Sequence, residues 1–225
     1  ATKHEKDVHK NAQDDLKCEH FSQCSGCTIN SYFDSAPITS EASSFCDTQM
    51  DLAFQQNPGL ALSPPKFKVF IGNVHHWRTH AKLAVSRKGK YGGINLGLYR
   101  AGSHDILEIP KCKVHHPSIN AAVEIIIKAA SRVKTVGYSE EKMEGMLRYV
   151  QLSVERSSGK VQVTLVWNAE DLKSATPHLQ LLAKELKKSD PDLFHSIWAN
   201  FRVGSGNVIL NRNPYSWHRC SGPEF

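Results

Sequence analysis

Apolar and polar positions change their period along this chain. Phe67-Val69-Ile71, Ala81-Leu83-Val85 and Ile94-Leu96-Leu98 alternate with their neighbours, the two-residue period of strands with one buried face. Ile106 to Ile109 adds a short fourth strand. From Pro117 the period lengthens. Ile119, Val123, Ile126, Ile127 and Ala130 recur at helical spacing behind a proline in the first turn. The second half repeats the style, with strands Leu147 to Arg156 and Lys160 to Trp167 joined by Ser157-Ser158-Gly159, a hairpin signal. Asp171 to Lys188 reads as one amphipathic helix built on Leu172, Leu179, Leu182 and Leu186. Ser196 to Arg202 and Asn207 to Leu210 read as strands flanking Gly204-Ser205-Gly206. Strands that precede their own helix, with short hairpins, predict an α+β fold: an antiparallel sheet with helices packed on one face.

The N-terminal third has a different texture. Residues 1–17 are charged and polar and read as a flexible arm. Residues 18–27 form a cysteine-rich loop, expected to dock near the N-terminus, and 28–65 a linker. Within that linker Phe45, Met50, Leu52, Ala53 and Phe54 give a weak helical pattern over Ser44 to Gln56, stopped by Asn57-Pro58-Gly59. The central α+β domain is then expected over 66–210, with 211–225 as a tail.

Composition narrows the partner. The 225 residues are 40% hydrophobic and 22% charged, an ordinary globular balance with enough chain to bury a core. No run approaches the roughly 20 apolar residues of a membrane-spanning helix, so no membrane partner is expected. Lys plus Arg number 28 against 22 Asp plus Glu, a net charge of +6 that suits a polyanion. Basic residues concentrate at 66–90, and a monomer is expected. Six cysteines in a chain of this size point to a reducing compartment rather than a disulfide framework: cytoplasm, or an organelle such as a chloroplast or mitochondrion.

Three of those cysteines stand close together, Cys18-x5-Cys24-x2-Cys27, and Cys112 follows far downstream in Ile109-Pro110-Lys111-Cys112. Three grouped thiols plus a remote one is a common arrangement for an iron–sulfur cluster. Zinc takes the same ligands, usually as two C-x2-4-C pairs, which are missing here. A chance grouping of buried thiols is the third reading, and spacing leaves all three open. His20 is a further candidate ligand, or packs beside such a centre. Cys46 and Cys220 lie outside the pattern.

Trp77-Arg78-Thr79-His80-Ala81-Lys82-Leu83 alternates basic with apolar residues, which on a strand turns Arg78, His80 and Lys82 to one face. With Arg87, Lys88 and Arg100 these are candidate RNA contacts, since aromatic and cationic groups together suit unstacked bases and phosphates. The alternative is a plain solvated face. Gly204-Ser205-Gly206-Asn207 lacks the G-x-G-x-x-G spacing of a dinucleotide site and reads as a turn. The pairs His75-His76 and His115-His116 would point to opposite sides of a strand, a poor arrangement for shared metal ligation. No G-x-S-x-G, H-E-x-x-H or G-x4-G-K-[ST] occurs, and no constellation carries a chemical step.

Several segments together resemble the RNA (uracil-5-)-methyltransferases of the iron–sulfur type. They are the cysteine trio with its internal His20-Phe21 and Ser25-Gly26, then Trp77-Arg78-x-x-Ala81-Lys82-Leu83, then Leu96-Gly97-Leu98-Tyr99-Arg100-Ala101-Gly102-Ser103-His104-Asp105-Ile106, Ile109-x-x-Cys112 and Pro117-x-Ile119-Asn120. The resemblance is strongest over 18–27 and 77–120 and runs more loosely to about residue 210. It implies that Cys18, Cys24, Cys27 and Cys112 hold a structural [4Fe-4S] cluster in an RNA-binding part of such an enzyme. It also implies an S-adenosylmethionine-dependent methyl transfer to C5 of a uridine in ribosomal or transfer RNA, by a cysteine nucleophile and a carboxylate base. The glycine-rich cofactor loop and the nucleophile motif of the family are not found, so no catalytic or cofactor-binding residue is assigned. The tail 211–225 is expected to lead toward the methyltransferase domain, and this stretch alone is expected not to methylate RNA. A zinc-stabilised RNA- or protein-binding module without enzymatic activity is the other reading.

Overall fold

The computed structural model describes residues 18–20, 23–27, 38–57, 59, 73, 75–89, 93–204 and 208–223. The expected arm 1–17 and the expected strand at 67–71 lie outside them. The chain divides into two compact units, one drawn from residues 1–21 and 27–75, the other from 22–26 and 76–225.

In the first unit the described structure is chiefly one helix, α1 (Ile38–Gln56). It begins earlier than the pattern suggested. None of its residues from 44 to 56 is buried, and Phe45 and Leu52 are exposed, in keeping with the weak amphipathic signal.

Among the described residues the second unit is built on a mixed seven-stranded sheet of order β3-β2-β1-β4-β5-β6-β7. The strands are β1 (His80–Arg87), β2 (Ile94–Tyr99), β3 (Ile106–Glu108), β4 (Leu147–Val154), β5 (Val161–Trp167), β6 (Phe194–Phe201) and β7 (Trp217–Ser221). Helix α2 (Pro117–Arg132) follows β3, and short α3 (Leu172–Ala175) and longer α4 (His178–Ser189) follow β5.

Alternate strand residues, among them Leu83, Leu96, Val150, Val163, Leu165 and Ile197, form one core with Ile119, Val123 and Ile126 of α2 and Leu179, Leu182 and Leu186 of α4. Burying such side chains, at about 1.5–3 kcal/mol each, is what holds helices on a sheet whose strands are far apart in sequence. Proline opens α2 because it needs no N–H there, and His116 caps the helix by accepting the Ser118 N–H at 3.2 Å.

Three expectations need correction. The sheet is not wholly antiparallel, because β5 and β6 run parallel. A parallel pair requires a crossover, which the helical segment between them supplies; that segment was the signal for a β-α-β unit. The helix expected over 171–188 is interrupted at Thr176-Pro177, where proline disfavours helical backbone in the residue before it; Thr176 is extended at φ −80°, ψ 144°. Val208 to Leu210 is not a strand. The seventh strand lies in the expected tail, with Asn200 opposite Trp217 and Ala199 opposite His218. Its sequence, Trp-His-Arg-Cys-Ser, has no apolar alternation, and all five residues are half-buried as befits a sheet edge.

Candidate nucleic-acid interface and cysteine loop

Residues 23–26 dock on the end of β2 through backbone hydrogen bonds. The Ser25 N–H donates to the Tyr99 carbonyl at 3.0 Å and the Ala101 N–H to that of Gln23 at 2.8 Å. The Arg100 guanidinium adds a 3.1 Å bond to Gln23 Oε1. Gly26 packs closely: a Cβ there would push the end of the Leu98 side chain aside and lie 3.3 Å from Cys24 Sγ. The Cys24 sulfur accepts the Gly26 N–H at 3.3 Å.

Arg78 joins this loop to the segment after Cys112. Its backbone N–H donates to Val114 and its carbonyl accepts from His116, at 2.9 and 2.8 Å. Its guanidinium donates to the Gly26 carbonyl at 3.1 Å and lies 5.1 Å from the Trp77 ring centroid. Cys112 is anchored nearby, its carbonyl accepting Asn120 Nδ2 at 3.0 Å. Cys24 and Cys112 are both half-buried and packed against the rim of the main core. Cys18 and Cys27 are also half-buried, and His20 sits 3.5 Å from Glu19.

Among the described residues no group of three or more His, Cys, Asp or Glu is gathered as a metal site. No chemical step is derived through a metal. One histidine of each pair has a structural role: His76 Nδ1 bonds to the His115 carbonyl at 3.0 Å, and His116 caps α2.

His115 is fully buried, and burial, then the neighbouring Arg78 charge, pushes its pKa down to about 4; Asn120 opposes this with a smaller effect. Its Nδ1 and Asn120 Oδ1 lack a partner with good hydrogen-bond geometry. The imidazole stays neutral at ordinary pH.

The expected basic strand is present. His80 and Lys82 are exposed on β1, while Ala81 and Leu83 turn into the core. The His80 ring bonds to Ser153 Oγ at 2.8 Å. Arg87 is exposed at the end of β1, and the Lys88 ammonium lies 4.0 Å from Glu108. Arg78 departs from the others, since its charge is directed to the cysteine loop.

Sequence reasoning missed two aromatic residues on the face that carries Lys82. Lys82 lies opposite Gln151 and Ala84 opposite Tyr149, and the Tyr149 hydroxyl meets that of Tyr99 at 3.1 Å. Tyr149 also donates to Glu140 at 3.3 Å, which His104 approaches to 3.6 Å. Burial first, then the Tyr149 hydrogen bond, raises the Tyr99 pKa, so it remains a neutral phenol. The signal was available in the two-residue alternation of β2 and β4, but the pairing of distant strands was not.

No family model matches the chain. It is 35% identical over 217 residues to a protein from Protochlamydia amoebophila named an uncharacterized RNA methyltransferase, an alignment covering 92% of this chain and 52% of that protein. Similarly named proteins of Geobacter sulfurreducens and Halalkalibacterium halodurans are 30% and 26% identical, over 64% and 86% of the chain and 28% and 40% of their own lengths. A solved structure of Pyrococcus abyssi tRNA (uracil-54, C5)-methyltransferase with S-adenosyl-L-homocysteine aligns with TM-score 0.44 and 21% identity, covering 61% of this chain and 30% of that one. The chain is thus similar along most of its length to proteins named RNA methyltransferases, and it spans about half the length of the first of them.

Proposed function

We propose that this chain is the RNA-binding portion of an S-adenosylmethionine-dependent RNA (uracil-5-)-methyltransferase acting on ribosomal or transfer RNA. The observation that carries this reading is the similarity to an RNA methyltransferase over 92% of the chain. The exposed Lys82, with His80, Tyr99 and Tyr149 on the same face, supports it: its ammonium neutralises phosphate, and tyrosine rings offer stacking surfaces to unstacked bases. A base that is to be methylated must leave its stack, at a cost of a few kcal/mol, and contacts of this kind offset that cost. S-adenosylmethionine supplies the methyl group in the whole enzyme; this chain's residues contribute binding and positioning.

The assignment of Cys18, Cys24, Cys27 and Cys112 to a [4Fe-4S] cluster is part of the same proposal and is supported by motif spacing and resemblance alone. The test is to purify the chain anaerobically, measure iron and acid-labile sulfide, and titrate it with labelled transfer and ribosomal RNA fragments. Iron and sulfide together with salt-sensitive RNA binding are expected. Zinc in place of iron would favour the zinc-module reading, and absence of RNA binding would remove the main proposal.

A further inference from the structure

The sheet's other face, the one that carries the helices, has a cationic cavity that the RNA face described above does not use. It measures about 530 Å³ and lies between α4 and β7. Lys184, Lys187 and Lys188 of α4 and His218 of β7 line it, over an apolar floor that includes Leu172 and Cys220. Strand register separates it from Lys82. His218 lies opposite Ala199, which follows Leu165 and Val150 to Leu83 on the helix-covered side. Lys82 follows Gln151, Thr164 and Trp198 to Arg219 on the other side.

The charge of this cavity is not balanced from within. Among the described residues no carboxylate lines it, and the neighbouring Glu185 is engaged by Arg132 at 2.8 Å. Lys187 is fixed, its ammonium donating to the carbonyls of Pro191 and Phe194 at 2.7 and 2.8 Å. Lys184 and Lys188 stand at i and i+4 on one helical face, where like charges repel by a few tenths of a kcal/mol in the absence of an anion. Burial pushes the Cys220 thiol up to about 11, so the floor adds no negative charge. Favourable interaction with the C-terminal end of the helix explains Lys187 and Lys188 but neither Lys184 nor the histidine facing them from another element.

We infer that this cavity takes one nucleotide of an RNA strand, its phosphate between Lys184 and Lys188 and its base and ribose over Leu172 and Cys220, with the His218 ring beside them. The inference rests on the RNA reading above and adds a second contact across the sheet from Lys82. The volume lies within the roughly 300–1,000 Å³ typical of small-ligand sites, and a floor that is apolar beneath a cationic rim fits a nucleotide better than a bare anion.

The experiment titrates the 225-residue chain with uridine 5′-monophosphate and, separately, with inorganic phosphate, following backbone amide resonances. The nucleotide should shift resonances of α4 and β7, phosphate should bind at least several-fold more weakly, and Lys184→Glu/Lys188→Glu should weaken nucleotide binding tenfold or more. Circular dichroism establishes that the double variant is folded, and Lys184→Gln provides a milder second variant. Lys82→Ala should leave nucleotide binding unchanged while weakening RNA binding, which separates this site from the first. No shift in α4 and β7, equal affinity for phosphate and nucleotide, or an undiminished affinity in the folded double variant would each overturn the inference.

Discussion

The Arg78 guanidinium donates to the Gly26 carbonyl at 3.1 Å, so a residue at the start of the sheet holds the loop that carries Cys24. The same residue is hydrogen-bonded through its backbone to Val114 and His116, just after Cys112. Arg78→Lys keeps the charge but loses the planar fork and the stacking on Trp77. A loss of about 1–2 kcal/mol is expected, as for a charged hydrogen bond that is partly shielded from water. Urea unfolding measures it; an unaltered midpoint would show that the loop is held by its backbone bonds alone.

His115 should make stability depend on acid. Its folded pKa, about 4, lies below the ordinary 6.5, so between these values the unfolded chain binds a proton that the folded chain does not. Stability should therefore fall as pH drops through this window and be regained above it. The integrated effect is of order 3 kcal/mol at most. Chemical denaturation of wild type and His115→Gln at a series of pH values from 4 to 7 checks the sign: the variant's curve should be flatter, and parallel curves would remove His115 as the cause.

Gly97 sits where β2 passes β3, opposite Glu108. A Cβ there would run into the Leu107 carbonyl, a backbone group that cannot rotate away. Gly97→Ala should displace β3 and cost about 2–3 kcal/mol. Because β3 leads directly to Cys112, the variant should also show faster amide exchange over 106–112 than wild type. A thermal midpoint equal to wild type would mean that the strands separate without penalty.

The cysteine assignment separates residues by role. On anaerobic reconstitution Cys112→Ser should lose most of the iron, whereas Cys46→Ser and Cys220→Ser should retain it, since neither is among the four proposed ligands. Equal iron content in all three variants would contradict the four-cysteine proposal.

Part of the sheet was legible in the chain because stretches of its core strands alternate, although β5 is buried without a break from Val163 to Trp167. Leu83, Leu96, Val150 and Val163 announce their buried face through neighbours such as Lys82, Asn95, Gln151 and Gln162. β7 was not legible. An edge strand buries little on either side, so Trp217–Ser221 had no need of an apolar period and showed none. The direction of β6 was hidden for another reason: it depends on where the chain returns after α4, a tertiary fact that local pattern does not encode. The site divides similarly. The exposure of His80 and Lys82 followed from alternation, but the tyrosine pair Tyr99–Tyr149 and the cavity beside α4 arise from residues distant in sequence. Arg78 was read as an RNA contact from its basic character, while its guanidinium has a partner 52 positions away at Gly26.

The most direct test of the RNA assignment is the salt dependence of RNA binding by wild type and Lys82→Ala. Affinity should fall linearly on logarithmic axes as salt rises, and the variant's slope should be smaller by about 0.7–0.9, the signature of one lost phosphate contact. Binding that ignores salt, or identical slopes for the two proteins, would contradict the assignment of the Lys82 face to RNA.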